Sequence, residues 1–178
     1  MLLLCSLRGS IILYQGEELG LPQVDVPFDQ LRDPEAIANW PETLSRDGAR
    51  TPMPWSSGAP NLGFSPSQPW LPVGANHAPL AIDKQDADED SVLNFTRRCL
   101  DVRNRHPALH HGAMRIIDAS GDLLVFEREA DGAKLRCSFN LSDSESDRSD
   151  HPLAEIISVG DVSASRLGPW SAVIEKLA

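Results

Sequence analysis

Three patterns of apolar and polar positions succeed one another along the chain. Ile11-Ile12-Leu13-Tyr14 is a short unbroken apolar run between Gly9 and Gly16, the pattern of a strand buried on both faces, as in a parallel barrel. Val92, Phe95, Cys99 and Val102 recur at helical spacing, with Leu93 and Leu100 widening the stripe, and predict a helix over 91–105. Asp88, Glu89 and Asp90 sit at its positive end, Asp90 or Ser91 can cap it, and Pro107 stops it. After His111 the period changes to two. Leu123 to Phe126 lead to Asp131-Gly132, after which Leu135, Cys137, Phe139 and Leu141 alternate with polar residues. An Asp-Gly between two such runs predicts a hairpin. Ser142 to Asp150 is all polar and predicts a flexible loop, and strand-like runs near 154–159 and 172–177 follow.

Residues 21–80 fit none of these patterns. They carry most of the fourteen prolines and three of the four tryptophans, with a short helix near 34–40 as the one periodic stretch. A long irregular segment inside a compact domain is either functional or a linker. A parallel strand at 11–14 would need neighbours on both sides, and nothing else in the first half offers them. The pattern therefore points to a strand whose neighbours are missing from this sequence.

A net charge of −10 argues against nucleic acid, whose phosphates need a Lys/Arg surface, and against an anionic membrane. No transmembrane span is present in the sequence. Met1 to Cys5 lacks the basic region and length of a signal and reads as the end of an amphipathic helix. Cys5, Cys99 and Cys137 are too few for a disulfide framework. Each lies in an apolar pattern, so buried free thiols and a reducing cytoplasm are expected. His77, His106, His110, His111 and His151 lack metal-site spacing, and Gly16 and Gly20 lie too far apart for a nucleotide loop. No metal or other cofactor is expected.

Tyr14-Gln15-Gly16-Glu17-Glu18-Leu19-Gly20 followed by Arg46-Asp47-Gly48-Ala49-Arg50-Thr51-Pro52-Met53-Pro54-Trp55 resembles the last part of the catalytic barrel of α-glucosidases in the α-amylase superfamily, glycoside hydrolase family 13. The run from Val26-Pro27-Phe28 to Asp33-Pro34-Glu35 continues the likeness, and the parent it implies is similar to oligo-1,6-glucosidases. The resemblance implies an α+β architecture: residues 1–110 as the end of a (β/α)₈ barrel (last strand, long loop, last helix), then an antiparallel β-sandwich over 111–178. A whole barrel needs about 250 residues, so a C-terminal portion is expected. It also implies a parent enzyme that hydrolyses terminal α-linked glucose, with an oligosaccharide or α-glucoside as its partner. The rival reading is a non-catalytic accessory or binding module built on the β domain.

Retaining glycosidases use two carboxyls about 5 Å apart, one attacking the sugar and one protonating the leaving oxygen. In the family these come from earlier strands, and a third aspartate lies in an Asn-His-Asp motif absent here; Asn76-His77 is followed by Ala78. No catalytic residue is therefore assigned, and the chain alone is expected to be inactive. Glu17 and Glu18 match a structural feature at the mouth of the last strand. Arg50 is the candidate substrate-binding residue: its motif position matches an arginine that reaches the non-reducing-end glucose. A guanidinium offers fixed donors to sugar hydroxyls, or alternatively an ion pair that ties the loop down. Arg46 and Asp47 are expected to fix the loop's shape. Trp40, Trp55 and Trp70 could stack on sugars or anchor local packing.

Overall fold

The computed structural model describes residues 1–148 and 154–177. Five α-helices are named here: α1 (Leu2–Ser6), α2 (Pro34–Ala38), α3 (Ile82–Asp86), α4 (Val92–Arg105) and α5 (Pro107–His110). They are accompanied by strands β1 (Ala113–Asp118), β2 (Leu123–Ala130), β3 (Ala133–Asn140), β4 (Ser146–Asp147), β5 (Ala154–Val159), β6 (Arg166–Leu167) and β7 (Ala172–Lys176). The chain divides into two compact units, residues 1–11 with 98–178, and residues 12–97. No helix among the described residues is long and apolar enough to cross a membrane.

The first unit is organised by an antiparallel sheet in the order β1-β2-β3-β7-β5. The β2–β3 hairpin closes at Asp131 (φ 51°) and Gly132 (φ 76°). Both centres have positive φ, which matches the right-handed twist of the strands. Phe126 and Phe139 come from the two arms of the hairpin, and their rings stack with centroids 5.8 Å apart. With Leu135, Cys137 and Ile174 they form the buried face, on which α5 packs against β2 and β3. Gly112 is required between α5 and β1, since a Cβ there would meet the Ala108 carbonyl oxygen at 2.3 Å.

The other face carries charge. Glu127 accepts from Arg115 at 2.6 Å, Lys134 at 2.9 Å and Arg136 at 3.2 Å. Arg148, just after β4, pairs with Glu175 of β7. This places the β4–β6 ribbon over that face, so the second layer of the expected sandwich is, among the described residues, a two-stranded ribbon. Part of the polar stretch expected to be a loop is therefore strand β4. Residues 142–145 and 148 are irregular, as expected, whereas Ser149 and Asp150 lie outside the described residues, as does His151.

Two buried arginines satisfy carbonyls that α1 leaves unpaired at its end. Arg103 donates to the oxygens of Cys5 (2.7 Å), Leu7 (3.1 Å) and Gly9 (2.6 Å). Arg128, fully buried, donates to Ser6 and Gly112. Helix α4 is capped by Ser91, whose Oγ accepts from the Asn94 amide at 3.2 Å.

The expected strand at 11–14 is not formed. Residues 11–14 are irregular, and Ile12 is 85% exposed. A parallel strand exists only through bonds to its neighbours, and no strand of the described chain lies beside it. The unit 12–97 instead folds around Val26, Leu31, Ala36 and Leu71. Gln85 is its buried polar hub: Nε2 donates to the Leu19 and Leu80 oxygens, and Oε1 accepts from the Leu93 amide.

Candidate functional site

The segment that carries Arg50 is shaped by a knot of charged side chains. Asp33 caps α2, accepting from the Glu35 amide at 3.3 Å, with Pro34 at the first helical position. Its carboxylate also takes the Arg46 amide at 3.1 Å and a two-pronged bond from the Arg46 guanidinium, whose Nε lies at 2.8 Å. That guanidinium holds the Asp33 carboxyl well below the usual carboxylate range. Asp47, buried, accepts from the amides of Arg32 at 2.6 Å and Asp33 at 2.7 Å. Ser45 starts the short 3₁₀ turn Arg46–Ala49 by accepting the Asp47 amide. Arg46 and Asp47 are thus both committed to holding this segment in place.

Gly48 sits where the segment passes closest to its neighbour. The Val24 amide donates to the Gly48 oxygen at 3.0 Å, and a Cβ on Gly48 would meet the Val24 oxygen at 2.3 Å. On the far side of the turn, Gln15 donates to the Thr51 oxygen at 3.2 Å.

Arg50 follows the knot and differs from Arg46. It is exposed, and its guanidinium has no ion pair or hydrogen bond among the described residues. It lines an open cavity of about 400 Å³ with Tyr14, Gln23, Leu44 and Arg46. A second cavity, of about 430 Å³, is walled by Trp40, Asp25, Thr43 and the same Gln23, Leu44 and Ser45 that border the first.

Glu17 and Glu18 are spent on their own turn. Glu17 accepts the Tyr14 amide at 3.3 Å and Glu18 the Gly16 amide at 2.8 Å, where Gly16 holds φ 90°. Of the tryptophans, Trp40 lies 5.5 Å from the Phe28 ring, while Trp55 and Trp70 are exposed and line neither cavity. Among the described residues no group of three or more His, Cys, Asp or Glu could hold a metal ion.

His77 plays a part that sequence reasoning missed. It is buried, its Nε2 lies 3.2 Å from the Pro22 oxygen, and its Nδ1 has no partner among the described residues. It lines a smaller cavity of about 200 Å³ with Gln15, Gly48 and Thr51. The sole sequence signal was its place in an irregular stretch beside Gly74, where a Cβ would strike the imidazole at 2.6 Å.

Comparison with known proteins gives this arrangement its family. Residues 1–112 match the profile of the α-amylase catalytic domain, and the chain belongs to that family. It is 45% identical over 141 residues to a probable α-glucosidase of Rhizobium meliloti (strain 1021), covering 79% of this chain and 25% of that protein. It is 29% identical over 157 residues to a probable oligo-1,6-glucosidase of Bacillus subtilis (strain 168), covering 76% of this chain and 28% of the relative. Among solved structures, the α-glucosyl transfer enzyme XgtA superposes with a TM-score of 0.87 at 40% identity, over 98% of this chain and 34% of that one. The chain therefore spans about a quarter to a third of the length of these α-glucosidase-like proteins.

Proposed function

We propose that this chain is the C-terminal part of a retaining α-glucosidase that hydrolyses terminal α-linked glucose. In it Arg50 donates hydrogen bonds to the hydroxyls of the non-reducing-end glucose. The observation that carries the reading is the division of labour between two arginines four residues apart. Arg46 is consumed by Asp33, while Arg50 stands exposed with its donors unspent. The relatives that are themselves glucosidases and glucosyl transfer enzymes add support.

The attacking and protonating carboxyls fall outside these residues in this reading. Glu17 and Glu18 are bound to backbone amides of their own turn, and no other pair replaces them in the Arg50 cavity. The catalytic portion runs over 1–110 and the β domain over 111–178, a division supported by the end of the family match at residue 112. A reducing cytoplasm suits three free buried thiols, two of which, Cys99 and Cys137, burial pushes up to about 12.

The test has two parts. The purified chain, incubated with p-nitrophenyl α-glucoside, releases no p-nitrophenol above a host-protein control; release that tracks the chain through purification overturns the assignment of the chemistry. The chain binds methyl α-glucoside, and Arg50→Ala weakens that binding by about 10–100-fold, the worth of a hydrogen bond to a charged donor. Equal affinity for the two proteins returns Arg50 to a structural role.

A further inference from the structure

The charged face of the five-stranded sheet carries a cavity of about 290 Å³ that the glucosidase reading does not use. Every residue lining it falls between 117 and 148. Helix α5 packs on the opposite face, and from that face Arg128 reaches the Ser6 and Gly112 oxygens. Those contacts account for the part of the catalytic-domain match, residues 1–112, that meets the sheet, so the cavity lies on the side opposite α1 and α5. We infer that it binds a free α-amino acid with a branched apolar side chain: valine, leucine or isoleucine.

Strand register builds the site. Asp118, Val125 and Ser138 stand in one row across β1, β2 and β3, and Glu127, Arg136 and Glu175 in the next. A bulge between Ile116 and Asp118 brings Ile117 and Asp118 both onto the cavity, where strict alternation would send one of them to the other face. Asp147 of β4 and Arg148 form the wall above the sheet. Arg148 is spent on Glu175 and on the Ser163 oxygen at 3.1 Å, which fixes that wall in place. Arg136 gives one Nη to Glu127 at 3.2 Å, while its buried Nε has no partner among the described residues. Ser138 is buried too, and its hydroxyl makes no hydrogen bond among those residues.

The chemistry of the lining selects the ligand class. Ile117, Leu123 and Val125 make an apolar floor, and charges of both signs stand around it, Arg136 and Arg148 against Asp118 and Asp147. A simple anion would meet the aspartates and a simple cation the arginines, and no aromatic ring is present for a sugar to stack on. A zwitterion uses both signs. Its carboxylate accepts from Ser138 and Arg136. Its ammonium donates to Asp147, whose one ion pair is at 3.8 Å, and to Oδ2 of Asp118, since Ser120 bonds only Oδ1. A branched side chain then covers the floor. The volume lies at the lower end of the range of about 300–1,000 Å³ for small-molecule sites, which suits one amino acid.

Titration of the whole chain with leucine, followed by its backbone amide NMR signals, tests this. Leucine is expected to move the amides of Ile117, Val125 and Ser138. Isocaproate, which lacks the ammonium, and isoamylamine, which lacks the carboxylate, should each bind at least about tenfold more weakly, the worth of a hydrogen bond to a charged group. Ser138→Ala should weaken leucine binding about tenfold. Asp147→Asn, at the exposed rim, should weaken leucine binding by about as much while isocaproate binding stays unaltered, and it carries the test if Ser138→Ala fails to fold. No shift with leucine at about 10 mM, ten times a weak Kd of about 1 mM, would overturn the proposal. So would shifts confined to other residues, isocaproate binding as tightly as leucine, leucine affinity unchanged in both variants, or maltose moving the same amides. The site shares no residue with the Arg50 cavity, so Arg50→Ala leaves leucine binding unchanged and the two readings stand or fall separately.

Discussion

In the five-stranded sheet, each strand's amides are answered by the next strand, which leaves side chains free to fill a core. Between residues 12 and 97 much of that work falls to side chains. Asp47 takes the Arg32 and Asp33 amides, Asp83 takes the Ser57 amide, and Gln85 bonds Leu19, Leu80 and Leu93. The apolar cluster of this unit centres on Val26, Leu31, Ala36 and Leu71, against Phe126, Leu135, Cys137, Phe139 and Ile174 under the sheet. The difference shows two ways of meeting one demand: a buried backbone polar group must be paired, by a ladder or by a side chain. A ladder tolerates change of side chain at many positions. A side-chain acceptor makes the backbone depend on single residues, and it frees the chain from regular geometry where a binding surface needs irregular shape.

The largest expected effect lies in the sheet. Phe126 is fully buried and stacked on Phe139, and Phe126→Ala should cost about 4 kcal/mol from lost transfer energy and the cavity left behind. The denaturant midpoint, read by exchange of the β2 and β3 amides, checks it. A loss near 1 kcal/mol would mean that this face repacks freely and that the contrast with residues 12–97 is overstated.

Asp47 carries the next effect. Asp47→Ala strips the acceptor from two backbone amides, one of them on buried Asp33, and should cost about 2 kcal/mol. Faster exchange of the Arg32 and Asp33 amides reports it directly. Asp47→Asn keeps a carbonyl oxygen at the same place and should lose much less. Equal losses for the two variants would show that charge rather than hydrogen-bond acceptance holds the loop, which would place Arg46 and not the backbone at the centre of the knot.

These two residues also mark what the sequence disclosed. Phe126 and its hairpin were legible because the signal is local: alternation on both sides of Asp131-Gly132, a pair whose positive φ values suit the turn. Helix α4 was legible for the same reason, and the short helix expected near 34–40 is α2. The bonds of Asp47 to the Arg32 and Asp33 amides and of Gln85 to the Leu19 oxygen span 14 to 66 positions, and no periodicity announces such contacts. Ile11 to Tyr14 failed differently. Their composition describes what a buried parallel strand looks like, but whether a strand forms depends on partners that the four residues cannot encode. Arg50 was singled out only by its motif, since one exposed arginine in a proline-rich loop has no distinguishing pattern of its own. The separation of Trp40 from Trp55 and Trp70 needed coordinates, because what singles it out is Phe28, twelve positions earlier, and a cavity.

The smallest expected effect is acid sensitivity, and it compares the two units through one carboxyl in each. Burial alone would raise the pKa of Glu127, but hydrogen bonds from Lys134, Arg115 and Arg136 outweigh it and hold the group down at about 2, against an ordinary 4.5. A carboxyl with a lowered folded pKa stabilises the fold fully above its unfolded value. That contribution fades as pH falls through the interval between the two and is gone below the folded value. For Glu127 the fading should therefore run from about pH 5 down to about pH 2. Asp33, held low chiefly by its bond from Arg46, loses its contribution in the same direction. Both effects are reduced by solvent, since Arg115 is 68% and Arg46 59% exposed at the side chain, and exposed partners are screened by salt. Urea midpoints measured from pH 7 to pH 2 should fall over this window, more steeply at low ionic strength. Glu127→Gln removes a titrating group and should flatten the curve for sheet amides, and Asp33→Asn should do so for amides near α2. A curve unchanged in Glu127→Gln would show that the three cations around Glu127 are held by the sheet itself rather than by the charge between them.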